Sequence, residues 1–221
     1  MPNRRFSVKT NNNNSTSFGW HYKNHSHILT KTNIAKSIDK SILETLETFV
    51  QKPDFDEFFL YGQKHFYYPN DKIKSFLDYT GTHNAKSVYK EHLSKMNKFF
   101  SLGKLGQGLE EAGRALHYLQ DITQPHHIDS GSIIKKAKDA VNPHHSFEMF
   151  VSSKIDFLLE KNKPLKLKAN SFETLFDEVI NLSKTNQVPT MKNINDWDKI
   201  ATDAINIATT ATQKFIELLR L

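Results

Sequence analysis

The sequence predicts an all-α fold, a single-domain bundle of several helices. Apolar residues recur at helical spacing along most of the chain, signals for strands are scarce, and the breaks between periodic stretches hold proline, asparagine or aspartate. Ile28 to Phe49 reads as the first helix, with Ile28, Ile34, Ile38, Ile42, Leu43, Leu46 and Phe49 on one stripe. Lys52-Pro53-Asp54 reads as the loop that ends it, because proline lacks the amide needed to continue a helix. An aromatic segment around Phe58 to Tyr68 follows and closes in Pro69-Asn70-Asp71.

Ala85 to Phe100 is the second helix, with Tyr89, Leu93, Met96 and Phe100 on one face, and Leu105 to Ile122 is the third, stopped by Thr123-Gln124-Pro125. His144 to Leu159, preceded by Pro143, is the fourth, and Ser171 to Leu182 is the fifth. Asn195 to Leu221 is the sixth, opening on Asn195-Asp196 as a cap. No repeat or linker divides the set, so residues 20–221 read as one domain. Residues 1–19 have no apolar core of a signal peptide but do carry Asn11 to Asn14 in a row, and they read as a disordered leader or pro-segment.

Composition narrows the chemistry. With 221 residues and no cysteine, disulfides, thiolate zinc sites and a thiol nucleophile are excluded. Any metal must be held by His, Asp or Glu, and there are eleven histidines, six of them in the tight groups His25/His27, His126/His127 and His144/His145. Zinc accepts both imidazole nitrogen and carboxylate oxygen. No stretch approaches the roughly 20 apolar residues that span a bilayer. The net charge of +6 and a pI near 9.3 favour anionic partners, although scattered lysines on solvated helix faces give the same sum.

His117 and Asp121 lie four apart on a helix, so both leave one face about 5–6 Å apart at Cβ, close enough to grip one ion. Alone, such a pair is ordinarily a surface ion pair. It does not stand alone: Pro125 turns the chain so that His127 offers a third ligand, and His144 and Glu148 repeat the His-x3-carboxylate spacing on another helix. Asp54, His65 and His27 add candidate ligands upstream. Helical bundles build carboxylate-bridged metal sites from such paired ligands on separate helices.

The motif set resembles the zinc-dependent phospholipase C family, which includes bacterial phosphatidylcholine-preferring enzymes and the catalytic domain of clostridial alpha-toxins. The residues that carry the resemblance are His117-Tyr118-Leu119-Gln120-Asp121, Gln124-Pro125-His126-His127, His144 to Glu148, His65-Phe66-Tyr67-Tyr68-Pro69 and Pro53-Asp54. The resemblance implies three zinc ions: one on Asp54, His65, His117 and Asp121, a second on His127, His144 and Glu148, and a third on His27, bridging Asp121 and the α-amine and carbonyl of Trp20. Nineteen residues precede Trp20 here, so cleavage after Gly19 frees its amine, or the third zinc is missing or bound differently, or another group such as His21 or His25 replaces the amine; three ions are expected if the chain is processed to Trp20 and two otherwise. His126 is expected beside the ligands or exposed, as are His145, His25 and His21, while His83 and His92 are expected at the surface.

The resemblance further implies a phospholipase C that releases diacylglycerol and a phosphorylated headgroup, with Asp54 as ligand and orienter of the attacking water. The partner expected is phospholipid at a membrane surface, with no stable nucleic-acid partner, and the chain is expected to be a monomer. Secretion follows from the resemblance; a cytoplasmic location is the alternative, since no export signal is recognisable. A single-strand-specific zinc nuclease shares the pattern but carries His-x3-Asp where this chain has Glu148. A third reading is an inactive helical module with a structural zinc.

Overall fold

The computed structural model describes residues 20–56, 64–67, 84–128, 141–185 and 196–220, the side chains of 141–145 and of 185 excepted. The leader at 1–19, the aromatics at 58–61, His83 and the side chains of His144 and His145 lie outside the described residues. Within them the fold is all-α, as the periodicity predicts: α1 (Tyr22–Thr30), α2 (Lys40–Asp56), α3 (Ala85–Ser101), α4 (Leu105–Asp121), α5 (Val141–Glu160), α6 (Phe172–Thr185) and α7 (Trp197–Leu219). The β-structure among the described residues is a single bridge between Tyr67 and Ile128. No described helix is long and apolar enough to cross a membrane.

The predicted first helix is two helices. Its apolar stripe continues, because Ile34, Ile38, Ile42 and Leu43 all pack against the core, but the backbone breaks after Thr30. Thr30 and Thr32 turn their hydroxyls back onto the carbonyls of Ser26 and Leu29, at 3.0 and 2.8 Å. Asp39 then restarts the helix by accepting the Ser41 amide at 2.7 Å. Periodicity reports burial and is blind to such a break.

The predicted loop at Lys52-Pro53-Asp54 is helical instead. Pro53 sits in the last turn of α2, which runs on to Asp56. At a helix end the missing amide forfeits one bond and does not stop the chain. α5 likewise begins at Val141, with Pro143 in a first turn whose amides have no acceptor within the helix. At α7, Asp196 is the cap residue but its side chain makes no capping bond.

The other boundaries have local causes. Asn84 caps α3 by accepting the Ser87 amide at 3.0 Å. Gly103, at φ +68°, closes α3, with the Lys104 amide on the Phe99 carbonyl and the Gly103 amide on that of Phe100. Ser171 accepts the Thr174 amide at 3.2 Å and caps α6.

α4 is the axis of the bundle, packed against α2, α3 and α7, and its residues from Ala115 to Asp121 are all buried. One apolar cluster joins α2, α3, α4, α6 and the end of α7 around Leu46, Tyr89, Leu116, Phe176 and Phe215. A second joins α1, α5 and the start of α7 around Trp20, Ile28, Phe147 and Trp197. Gly113 lets α2 come close: a Cβ there would lie 2.7 Å from Phe49 Cβ and 3.1 Å from the Phe49 backbone. The two helices run parallel from that contact, so Val50 meets His117 and Asp54 arrives beside Asp121 at their C-terminal ends.

Candidate metal centre

Asp121 ends α4 fully buried, and its two oxygens face different groups. Oδ2 lies 2.6 Å from His65 Nδ1 and 3.0 Å from His117 Nε2. Oδ1 lies 3.4 Å from His25 Nε2. Asp54 divides in the same way, with Oδ2 3.8 Å from His25 Nε2 and Oδ1 3.9 Å from His117 Nε2. Two ligand groups result among the described residues: His65, His117 and Asp121, and His25, Asp54 and His117.

Four atoms in this small volume are buried without a hydrogen bond: His25 Nε2, both Asp54 carboxylate oxygens and Asp121 Oδ1. Buried polar atoms in folded proteins are nearly always satisfied, so a converging set of unsatisfied ones marks a place for a ligand. Two carboxylates and neutral imidazoles suit a divalent cation such as zinc. The C-terminal ends of α2 and α4 also point their negative partial charge at this volume. An imidazole nitrogen has one lone pair and serves one ion, whereas a carboxylate can bridge two. Asp121 and Asp54, not His117, therefore fit a shared position between adjacent ions.

The histidines are held in a ligating form by their far nitrogens. His117 donates Nδ1–H to the Val50 carbonyl at 2.8 Å, and His127 donates Nδ1–H to the His65 carbonyl at 2.9 Å. A carbonyl only accepts, so each ring carries a proton on Nδ1, and in its neutral form it has the lone pair on Nε2. His25 Nδ1 meets Gln120 Oε1 at 2.7 Å, with the same consequence. Such outer hydrogen bonds fix ring and tautomer at metal sites. His65 Nδ1 faces two acceptors, Asp121 Oδ2 and His117 Nε2 at 3.0 Å, so without metal it must hold the proton that a cation would displace.

Electrostatics agrees with the geometry. Burial opposes the charge on Asp121, but His117 and His65 outweigh it and hold the carboxyl well below its ordinary range. Burial likewise opposes a proton on His25, yet Asp121 and Asp54 pull its pKa above the ordinary histidine value.

Of the residues singled out in the sequence, Asp54, His65, His117 and Asp121 come together. His127 is buried in the turn after α4, its ring stacked on Phe66 at 4.6 Å. Glu148 is buried on α5, and Gln124 Nε2 reaches its Oε1 at 3.5 Å, tying that helix to the turn that carries His127. The Trp20 indole is buried and donates Nε1–H to the Gln120 carbonyl at 3.0 Å and to Thr123 Oγ1 at 3.2 Å.

His25 and His27, two residues apart on α1, project about 200° apart. His25, expected beside the ligands or exposed, turns toward the carboxylates, while His27, expected as a ligand, lies in neither group among the described residues. His92 is not a free surface residue either: its Nδ1 lies 2.6 Å from Glu111 and its ring stacks on Tyr118. No spacing signal separates His25 from His27. The missed partner Gln120 was in view, one residue before Asp121, but nothing local assigns a role to an amide there.

No family model matches the chain, and no curated protein matches it. Among solved structures it resembles alpha-toxin from Clostridium absonum, with a TM-score of 0.63 and 16% identity over 94% of this chain. It also resembles the alpha-toxin of Clostridium perfringens isolated from avian strain SWCP, with a TM-score of 0.60 and 18% identity over 91% of this chain. The match spans 65% and 63% of those two chains, just under two thirds of each toxin. At such identities the shared property is the fold: this chain has the all-α fold seen in the clostridial alpha-toxins. Within that fold it carries a buried group of histidines and aspartates compatible with a metal ion.

Proposed function

We propose that the protein is a zinc-dependent phosphodiester hydrolase, a phospholipase C that releases diacylglycerol and a phosphorylated headgroup from phospholipid. The observation that carries this reading is the buried pair Asp54 and Asp121, each with its two oxygens divided between His25 on one side and the His117 side on the other. A single structural zinc needs one closed set of four ligands. Carboxylates placed between two histidine groups serve adjacent ions instead, the arrangement used in phosphodiester cleavage.

The residues proposed to hold one ion are Asp54, His65, His117 and Asp121, and those for another are His127, His144 and Glu148. A third would use His25, in the place expected for His27, with Asp121 as the bridge and the amine and carbonyl of Trp20 after cleavage behind Gly19. Bound zinc would supply Lewis acidity toward the phosphate oxygens and lower the pKa of water near it. Asp54, both of whose oxygens are buried without a hydrogen bond, would orient that water for in-line attack on phosphorus. The water oxygen would bond to phosphorus as the phosphorus–oxygen bond to the glycerol breaks, and the water's proton would pass to the departing alkoxide.

Zinc-loaded protein should release diacylglycerol and phosphorylated headgroup from phosphatidylcholine vesicles. A chelator should abolish the activity and added zinc restore it, while single-stranded nucleic acid stays intact. Cleavage of nucleic acid with lipid untouched would move the assignment to a nuclease. One tightly held zinc per chain, inert on both substrates, would leave a structural module.

A further inference from the structure

We infer that Gln120 is the positioning residue that makes His25 a metal ligand, with the far end of its amide anchored on Thr212; this rests on the metal reading above. The three residues come from three helices, α1, α4 and α7, and all are fully buried. Gln120 Oε1 lies 2.7 Å from His25 Nδ1, and Gln120 Nε2 donates to Thr212 Oγ1 at 2.9 Å.

The end of the amide that faces the ring decides which nitrogen of His25 carries the proton. His117 and His127 are locked by backbone carbonyls, which can only accept. His25 has a side-chain amide in that position, and an amide accepts at oxygen but donates at nitrogen. With oxygen toward the ring, the His25 proton stays on Nδ1 and the lone pair on Nε2 faces Asp121 and Asp54. A reversed amide would donate to Nδ1, drive the proton onto Nε2 and block ligation. The Thr212 hydroxyl, on the far side, accepts the amide N–H and anchors that end of the side chain on α7. The Gln120 backbone is pinned as well, because its carbonyl accepts from the Trp20 indole and from Thr123 Oγ1 at 2.7 Å. The C-terminal helix α7 thereby has a part in the metal centre without contributing a ligand to it.

The test pairs zinc calorimetry with imidazole nitrogen NMR on the full chain, for the unaltered protein and Gln120→Leu, Gln120→Glu and Thr212→Val. Gln120→Leu should weaken zinc uptake at the His25 position by about 10–100-fold. Gln120→Glu, an acceptor at both oxygens, should retain it. In the unaltered protein at alkaline pH the His25 proton should sit on Nδ1, and in Gln120→Leu that preference should disappear. Should Gln120→Leu not fold, Thr212→Val decides, since it leaves Gln120 and His25 in place and should still lower affinity and mix the tautomers. Unchanged zinc affinity and an unchanged Nδ1 proton in folded Gln120→Leu and Thr212→Val would overturn the inference. Failure of the unaltered protein to take up zinc would overturn the metal reading, and the tautomer measurement would still judge Gln120 separately.

Discussion

His117 donates its Nδ1–H to the carbonyl oxygen of Val50 at 2.8 Å, so a backbone group of α2 orients a histidine of the candidate centre on α4. That bond exists because the two helices are nearly in backbone contact, and Gly113 is what allows the approach.

Gly113→Ala should therefore damage both stability and the centre. The added methyl meets Phe49 Cβ at 2.7 Å and the Phe49 backbone at 3.1 Å, and backbone cannot swing aside. A loss of about 1–3 kcal/mol is expected from overpacking, read as a lower urea midpoint. Zinc affinity should fall with it, whereas Gly106→Ala, with open space around its Cβ, should leave both unchanged.

His25 and His27 give a direct contrast. His25→Gln should lower the zinc-to-protein ratio measured by metal analysis, and His27→Gln should leave it at the unaltered value. The opposite result would return the ligand role to His27 and place α1 in a different rotation about its axis.

Asp54 sets function against stability. Its carboxylate oxygens are buried without a hydrogen bond, which costs about 1–3 kcal/mol while no cation is present. Asp54→Asn should raise the melting temperature of the zinc-free protein, lower that of the zinc-loaded protein and remove most of the hydrolytic activity. Equal shifts with and without zinc would argue against a ligand role.

His92 should give a pH dependence away from the centre. Burial pushes its pKa below the ordinary histidine value, more strongly than Glu111 raises it. The unfolded chain then binds the proton first as pH falls, so the neutral ring costs stability below about pH 6.5 and nothing well above it. Urea midpoints should decline as pH drops through that region, with a shallower decline in His92→Asn. A slope unchanged by the substitution would assign the pH dependence to other groups.

Much of this could be read along the chain. The span of α3 was legible from the face formed by Tyr89, Leu93, Met96 and Phe100, and the end of α4 from Thr123-Gln124-Pro125, where proline acts on its nearest neighbours. His117 and Asp121 were legible because four residues make one helical turn. The break between α1 and α2 was not, since Ile34 and Ile38 keep the apolar period through a stretch where threonine hydroxyls and Asp39 redirect the backbone.

The sequence by itself determined an all-α bundle and the absence of thiol chemistry, and it singled out Asp54, His65, His117 and Asp121, which fall in two neighbouring groups that share His117. Only the tertiary structure decided that His25, and not His27, faces the carboxylates, and that Gln120 and Thr212 stand behind it. The physical reason is that helical periodicity fixes the angle between two side chains on one helix but not the rotation of that helix in the bundle. That rotation is set by the burial of Ile28 and Leu29 against neighbours far away in the chain.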